Sequence, residues 1–239
     1  LFIATKAGYE GGAGRANLLA QFDGSRKRLG MDAVDLLYLH RFDPAAPLEE
    51  TLETFARLQS DGLIRQIGLS NFAAWQVMKA RAVAARLGTR IDAIQPMHNL
   101  VKRQVEVELL PMAADQGIAV FSYSPLGGGL LSGKYAAGEV GRLSEDDRYA
   151  TRYGQPAMHA AATGLAALAA EVGIPAATLA VAWVRAHPLR PNPILSARSA
   201  EQLAPSLAAL DLALDPALYA RLSALYPAPP PATDRLEEA

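Results

Sequence analysis

The sequence predicts an α/β fold in which parallel strands alternate with helices. Six short apolar runs are each typical of a buried strand, and most intervals between them have the length of one strand-helix unit. Such regular alternation places the strands parallel and the helices outside. Six units fit either a doubly wound sheet or most of a (β/α)8 TIM-type barrel. Because Leu1 already lies in an apolar run, we favour the barrel, incomplete here, with about two further units, ~60 residues, expected before Leu1.

The predicted strands are runs of apolar residues that stop at glycine or at polar residues. They are residues 1–8, 34–42, 63–72, 91–100, 118–127 and 192–199. Their first residues lie 33, 29, 28, 27 and 74 positions apart, so the last interval must hold additional elements. Within the first run, Leu1 to Thr5 are expected to form a buried strand.

The predicted helices carry boundary signals of their own. Residues 47–62 have a proline at the start, two glutamates in the first turn and Gly62 as a stop. Their apolar side chains fall on one face, namely Leu48, Leu52, Phe55 and Leu58. Further helices are predicted at 73–88, 106–117, 159–172, 176–187, 199–210 and 215–226, and Pro111 should delay or kink the one that contains it.

Two segments are predicted to lack helices and strands. Residues 133–158 are polar and contain glycine, which indicates a long loop, and residues 227–239 form a Pro-rich C-terminal tail. The chain shows no internal repeat and no linker, so we expect a single domain over residues 1–239.

Composition excludes several classes of protein. The 239 residues include 23 Lys and Arg against 24 Asp and Glu, a net charge of −1, which gives no basic surplus for nucleic acid or an anionic membrane. No apolar run reaches the ~18 residues of a membrane-spanning helix. The absence of cysteine excludes disulfides, thiolate metal sites and thiol catalysis. We therefore expect no nucleic acid, membrane or metal partner.

Polar residues follow each apolar run, where the active face of such folds lies. They are Lys6, His40, Ser70, Asn71, Gln95, Asn99, Tyr123, Ser124, Ser196 and Arg198. A single lysine at a strand end is usually a solvated charge, and a single histidine in a strand is more often a hydrogen-bonded core residue. Together these residues predict a convergent polar site with Lys6 and His40 as an acid-base pair.

Two further segments are each open to two interpretations. Residues 124–134 contain four glycines and Lys134, and they form either a flexible loop or a site where backbone amides and the lysine hold a diphosphate. Ser199 is a predicted helix N-cap with Gln202 in the first turn. The adjacent Arg198 is either a surface residue of this cap or a bidentate phosphate ligand.

Six motifs in this order resemble the aldo-keto reductases, most closely the bacterial aldose- and aryl-alcohol-dehydrogenase-like branch. They are IATKAG at 3–8, DLLYLHRFD at 35–43, GLIRQIGLSNF at 62–72, QPMHNLVKRQVE at 95–106, YSPLGGGLLSGKY at 123–135 and PILSARSAEQL at 193–203. The resemblance covers nearly the whole chain. It implies an eight-unit barrel in the cytoplasm that binds NADPH and reversibly reduces carbonyl or sugar substrates.

The resemblance also implies a catalytic Asp, Tyr, Lys and His. Lys6 and His40 match the last two by motif, whereas the Asp and Tyr belong to a block that this chain lacks. Tyr9 lies beyond the lysine strand and Tyr38 within another strand, so both are poor substitutes. In the implied mechanism, Lys6 lowers the pKa of the tyrosine that donates a proton, and His40 aligns the substrate carbonyl.

For the cofactor, the resemblance implies roles along much of the chain. The nicotinamide amide would be bound by Ser70, Asn71 and Gln95, and its ring would stack on Tyr123. The diphosphate would be lined by Ser124, Leu126, Gly128 and Lys134. The 2′-phosphate would be bound by Arg198 and the adenosine by Gln202. The sequence departs from the family pattern at His98, where tyrosine is common, and at Ser206, where asparagine is common.

Two other functions fit the same residues. One is an NADPH-binding module that senses redox state, as in the related potassium-channel β subunits, and the other is an inert fragment of a reductase. We expect the 239-residue chain alone to be inactive. The sequence does not indicate an oligomeric state.

Overall fold

The computed structural model describes residues 1–135, 141–233, 235 and 237. Six parallel strands form one sheet in the order β1-β2-β3-β4-β5-β6, each pairing with its neighbour in sequence. Sequential parallel order with intervening helices is the topology of consecutive units of a (β/α)8 barrel, so the predicted fold class is confirmed. Four residues of the predicted tail, at 234, 236, 238 and 239, lie outside the described part, as do residues 136–140.

All six predicted strands are present, and all are shorter than predicted. They are β1 Ala4–Ala7, β2 Val34–Leu39, β3 Ile64–Ser70, β4 Ala93–Gln95, β5 Ala119–Ser122 and β6 Asn192–Pro193. The prediction that Leu1 to Thr5 form a buried strand is wrong, because the strand begins at Ala4 and both Leu1 and Phe2 are exposed. Among the described strands, β1 stands at the end of the order and pairs with β2.

The helices follow the predicted alternation. They are α1 Arg15–Leu29, α2 Leu48–Ser60, α3 Ala74–Arg86, α4 Leu109–Asp115, α5 Arg142–Glu145, α6 Asp147–Tyr153, α7 Pro156–Val172, α8 Ala176–Arg185, α9 Ala200–Leu207 and α10 Pro216–Ser223. α1 fills the first interval, although it has neither acidic residues in its first turn nor a side-chain N-cap. α4 starts late, with Pro111 in its first turn, as predicted.

The predicted long loop over 133–158 is wrong in part, because it contains α5 and α6. Asp146 caps α6 by accepting a hydrogen bond from the Arg148 amide at 2.9 Å, a signal that a polar segment conceals. In the glycine-rich segment, residues Gly127–Ser132 form 3-10 turns in which Gly128 and Gly129 have positive φ.

The chain divides into two compact units, residues 1–96 with 112–120 and residues 97–111 with 121–239, and β5 has residues in both. In the first unit, β2 and β3 contribute Leu36, Leu37 and Ile67 to the core, and α2 buries its predicted face. In the second unit, Tyr153, Leu165, Leu179 and Trp183 are fully buried, and α8 is buried from Ala176 to Val184. The single-domain prediction stays a prediction.

No single helix in the described part of the chain is both long and apolar enough to span a membrane. The bent pair of α7 and α8, which meet at 102°, passes that test only by combined length and composition.

Candidate functional site

The register of β1 and β2 brings Lys6 and His40 to neighbouring strand ends. Lys6 lies opposite Tyr38 in the pairing, and the His40 amide, one residue past β2, donates a hydrogen bond to the Ala7 carbonyl at 2.8 Å. Both side chains are half-buried. The two residues that sequence motifs selected therefore end adjacent strands of the first unit.

The electrostatics of this pair follow from burial and like charge. Burial lowers the pKa of the Lys6 ammonium below its ordinary value. Burial also lowers the pKa of His40, and the positive charges of Lys6 and Arg41 lower it further. At neutral pH His40 is therefore an uncharged imidazole that can donate or accept a hydrogen bond without repelling the lysine.

Tyr38 shares the face of Lys6 but is a poor acid. The Lys6 Nζ lies 5.8 Å from the centroid of the Tyr38 ring, which is buried against Gly68. A Cβ added at Gly68 would overlap this ring, so glycine is needed there. Burial raises the pKa of Tyr38 to about 12, and a hydrogen bond with Gln95 acts in the opposite direction. At neutral pH Tyr38 therefore stays protonated and is a weaker acid than an ordinary tyrosine.

Tyr9 is a member of this cluster that the strand pattern did not predict. Its ring centroid lies 4.7 Å from that of His40, and the Arg41 guanidinium lies 5.1 Å from the Tyr9 ring. Gly8, with φ of 84°, turns the chain directly before Tyr9, and an added Cβ there would lie 2.8 Å from Leu39. The glycine that ends the strand in the sequence is the signal that could have found this reversal.

Lys6 and Tyr9 also line one cavity of about 360 Å³, together with Glu10, Ala20, Gln21, Gly24, Ser25 and Arg28. Gln21 fixes the turn at its edge, because its side chain accepts a hydrogen bond from the Gly8 amide at 2.9 Å.

Ser70, Asn71 and Gln95 form a connected group at the ends of β3 and β4. The Ser70 hydroxyl donates to the Gln95 carbonyl at 2.9 Å, and the Asn71 side-chain amide donates to the His40 carbonyl at 3.0 Å. Asn71 has a left-handed φ of 58°, which asparagine tolerates better than most residues. These contacts join the three predicted nicotinamide ligands to the backbone of His40.

In the second unit, four of the predicted cofactor residues border one cavity of about 200 Å³. Its lining consists of Tyr123, Ser124, Pro125, Leu126, Gly128, Tyr149, Ile194, Leu195, Ser196 and Ser206. The Asn99 side-chain amide supports this lining, because it donates a hydrogen bond to the Ser124 carbonyl at 2.8 Å. Tyr149 belongs to the segment predicted as a loop, so its place in the lining was not predicted.

The glycine turn and Lys134 lie together. A Cβ added at Gly129 would come within 3.0 Å of the Lys134 Cε, and one at Gly128 would lie 2.6 Å from the Tyr149 ring. Glycine is therefore required for this turn both by its positive φ and by its neighbours. A turn of this kind with a lysine beside it suits a diphosphate.

Arg198 and Gln202 lie at the start of α9. The Ser199 hydroxyl accepts a hydrogen bond from the Gln202 amide at 3.3 Å, which confirms the predicted N-cap. The Gln202 side chain accepts from the Arg198 amide at 3.1 Å. β6 ends at Pro193, earlier than predicted, so Ser196 and Arg198 lie in an exposed segment beyond the strand.

His98 is a structural residue by its contacts. It is fully buried, and its Nε2 lies 3.0 Å from a carboxylate oxygen of Glu106. Arg103 forms a bidentate hydrogen-bonded ion pair with the same carboxylate, with its Nη2 at 2.9 Å. These partners hold His98 within the core of the second unit and give it no exposed surface for a substrate.

Comparison with known proteins places these features in a family. The model of the aldo/keto reductase family matches residues 1–227. The uncharacterized oxidoreductase YrpG of Bacillus subtilis is 35% identical over 209 residues, which cover 87% of this chain and 63% of that protein. The chain thus spans less than two thirds of the length of YrpG.

Two other relatives carry more specific names. A probable voltage-gated potassium channel subunit beta of Oryza sativa subsp. japonica is 32% identical over 248 residues, covering 98% of this chain and 74% of its own length. Aflatoxin B1 aldehyde reductase member 2 of Mus musculus is 41% identical over 136 residues, covering 56% of this chain and 37% of its own length.

Proposed function

Because the chain belongs to the aldo/keto reductase family, we propose that its protein is an NADPH-dependent oxidoreductase that reduces aldehydes and ketones or oxidises the corresponding alcohols and aldoses. The observation that carries this proposal is the pair Lys6 and His40, which the family motifs select and the strand register brings side by side. A small carbonyl compound is the proposed substrate.

The residues of the first unit have distinct tasks in this proposal. Bound NADPH supplies the hydride. Uncharged His40 donates a hydrogen bond to the substrate carbonyl oxygen and orients it. The Lys6 ammonium favours the phenolate of the tyrosine in the Asp and Tyr block, so that this phenol gives up its proton near neutral pH instead of near ~10.

The cofactor roles are proposed residue by residue. In the first unit, Ser70, Asn71 and Gln95 bind the nicotinamide amide. In the second unit, Tyr123 stacks on the nicotinamide ring, and the diphosphate is held by Ser124, Leu126, Gly128 and Lys134. Arg198 binds the 2′-phosphate, and Gln202 binds the adenosine. The cavity beside the glycine turn supports the diphosphate assignment, because its lining offers hydroxyl groups and closely approachable backbone.

The function is tested by NADPH oxidation, followed by absorbance with a simple aromatic aldehyde. The 239-residue chain has no match to the Asp and Tyr block, so we expect its rate to lie ~10²–10⁴-fold below that of a protein in which this block precedes it. A rate for the chain alone equal to that of the extended protein contradicts this assignment. In that case Tyr9→Phe identifies whether Tyr9, which touches His40, is the donor.

Arg198 gives a separate prediction about cofactor choice. Its exposed side chain stands at a helix start, where a guanidinium fork suits a phosphate dianion. Arg198→Ala should weaken NADPH binding by roughly 1.5–3 kcal/mol, the scale of hydrogen bonds to charged groups, and leave NADH binding nearly unchanged. Fluorescence titration with both cofactors measures this, and equal losses contradict a role at the 2′-phosphate.

A second candidate function is supported by the likeness to the rice channel subunit, which extends over 98% of this chain. Under that alternative the protein binds NADPH and reports redox state to a partner. The two candidates differ in turnover: a binding module binds NADPH but does not reduce a simple aldehyde even when the Asp and Tyr block is present.

A further inference from the structure

The Tyr9 ring is held on His40 without being buried. It is 46% exposed, yet its centroid lies 4.7 Å from that of the His40 ring. Tyr9 belongs to residues 8–14, which join β1 to α1 and which we call the Tyr9 loop. A half-exposed ring gains less from the hydrophobic effect than a buried one. The position of the ring therefore depends on the contacts that hold the backbone of this loop.

Asp43 holds the far end of the Tyr9 loop. Its Oδ2 accepts a hydrogen bond from the Ala13 amide at 2.9 Å, and its Oδ1 accepts one from the Ala45 amide at 3.0 Å. These two hydrogen bonds lower the pKa of the Asp43 carboxyl below its ordinary value, so the ionised form is the one that the amides bind. Asp43 comes three residues after His40. One carboxylate thus joins the loop that carries Tyr9 to the segment that carries His40.

The Tyr9 loop is shaped to receive this carboxylate. Gly12 has φ of 82°, and a Cβ added there would lie 2.7 Å from the Oδ2 of Asp43. Glycine at this position therefore lets the backbone approach the carboxylate closely. The next residue, Ala13, is buried, and its carbonyl accepts a hydrogen bond from the Thr51 hydroxyl at 2.9 Å. Both backbone groups of Ala13 are thus fixed, one by a charged partner.

On its other side, the Tyr9 loop is held by α1. The Gln21 side chain accepts a hydrogen bond from the Gly8 amide at 2.9 Å, and the Asn17 side chain donates one to the Gly12 carbonyl at 2.6 Å. These two side chains are neutral amides, whereas Asp43 offers an ionised acceptor, which forms the stronger kind of hydrogen bond. Loss of the carboxylate should therefore displace the loop more than loss of either amide.

We propose that Asp43 is a positioning residue of the site: by holding the Tyr9 loop, it keeps the Tyr9 ring packed on the His40 imidazole and so orients that imidazole. The effect of Asp43 on His40 passes through Tyr9. Its consequence for turnover rests on the proposed function, in which His40 orients the substrate carbonyl. The packing of Tyr9 on His40 does not rest on that function and is tested separately.

The first experiment measures the pKa of His40 in the 239-residue chain by nuclear magnetic resonance, without any turnover. Asp43→Ala should raise this pKa, because the displaced loop admits water to the imidazole and burial is the main cause that lowers it. Loss of the carboxylate charge alone would lower the pKa, since removing an anion disfavours the imidazolium. The direction of the shift therefore separates a displaced loop from a missing charge. A lower or unchanged pKa overturns the proposal.

Three further variants make this measurement specific. Asp43→Asn keeps one acceptor oxygen and should raise the pKa of His40 less than Asp43→Ala does. Gly12→Ala forces the loop away from the carboxylate without changing any charge, and it should also raise the pKa. Asp61→Ala is the matched control, because Asp61 ends α2 and pairs with the exposed Arg57. An equal rise in Asp61→Ala overturns the proposal.

A double-mutant cycle tests whether Asp43 acts through Tyr9. Tyr9→Ala should itself raise the pKa of His40, and Asp43→Ala added to it should then change the pKa much less than it does alone. Two shifts that simply add contradict the proposed route. Circular dichroism of each variant should match that of the parent chain. If Asp43→Ala does not fold, Asp43→Asn and Gly12→Ala take its place in the same measurements.

The second experiment measures turnover in the protein that carries the Asp and Tyr block. Asp43→Ala should lower kcat/KM for a neutral aldehyde about tenfold or more, since a misplaced group can cost ~10²-fold, with the dissociation constant of NADPH unchanged. In a His40→Gln background the same substitution should cost less than about twofold. Equal losses in both backgrounds overturn the proposal. If the parent protein reduces no aldehyde, the proposed function fails, while the pKa of His40 still decides whether Asp43 positions Tyr9.

Discussion

His40 and His98 are the same residue type after similar strands, yet the structure gives them different surroundings. His40 is half-buried, and burial together with the charges of Lys6 and Arg41 lowers its pKa; the ring of Tyr9 lies 4.7 Å away. His98 is fully buried, with Glu106 at 3.0 Å and the ring of Trp183 at 5.2 Å. A histidine that keeps an exposed edge and is repelled by cations can meet a substrate. One that is bound by a carboxylate inside a core holds the fold together.

The difference between His40 and His98 should have its largest effect on the kinetics of the reaction. In the protein that carries the Asp and Tyr block, Lys6→Met and His40→Gln should each lower kcat/KM for a neutral aldehyde by ~10²–10⁴-fold, the range of acid-base and hydrogen-bond contributions. His98→Gln should leave kcat unchanged, since the His98 side chain is fully buried and contacts Glu106 and Trp183. Lys79→Met, on the exposed side of α3, is the control for loss of a lysine. A large fall in kcat for His98→Gln contradicts the contrast.

The next test measures stability in the second unit. The Glu106 carboxylate is 14% exposed and joins His98 to Arg103, whose guanidinium also donates to the carbonyls of Ser223 and Tyr226. Glu106→Gln should lower the free energy of unfolding by about 3 kcal/mol, because it leaves the Arg103 charge buried without its partner. Urea denaturation measures the loss. Glu53→Gln, which removes a half-exposed partner of Arg15, should cost less than about 1 kcal/mol.

The Glu106 carboxylate also predicts how the stability of the fold depends on pH. Hydrogen bonds from His98 and Arg103 lower the pKa of Glu106 to about 2, against the opposite effect of burial, from an ordinary value of 4.5. The stabilisation of the fold by ionised Glu106 is therefore present above pH 4.5 and is lost as the pH falls from there through about 2. Glu106→Gln should remove the part of the acid destabilisation that occurs in this window, and an unchanged pH profile contradicts the assignment.

The smallest expected effect concerns the environment of His40. Removing the Lys6 charge by Lys6→Met should raise the pKa of His40, because the lysine and Arg41 both oppose protonation of the imidazole. Burial and Arg41 keep the pKa below its ordinary value in the variant. Nuclear magnetic resonance of the His40 ring measures the shift, with Lys79→Met as the control. No change in the variant would mean that the two side chains do not sense one another.

Much of the fold was predictable because it depends on local periodicity. The apolar runs of β2 and β3 and the spaced apolar face of α2 appear directly in the sequence, and burial follows them. The segment at 133–158 was predicted as a loop because α5 and α6 are too short to show a repeated apolar face in the sequence. In the structure Asp146 caps α6, and Tyr153 in α6 is fully buried.

The candidate site was predictable where a motif marks it. Lys6 and His40 follow β-rich runs, and parallel pairing in sequential order must bring the ends of β1 and β2 together. Tyr9 was not predicted as part of the site because it lies beyond the lysine strand, whereas the turn at Gly8 brings its ring to 4.7 Å from that of His40.

The sequence by itself therefore determined the family, the order of strands and helices, and the residues at the strand ends, since each depends on short-range pattern. Only the tertiary structure decided that Tyr9 packs on His40, that Glu106 holds His98, and that Tyr149 lines the cavity beside the glycine turn. These contacts join residues from different loops and helices. Their geometry depends on turns and on side-chain packing, and neither leaves a periodic signal in the chain.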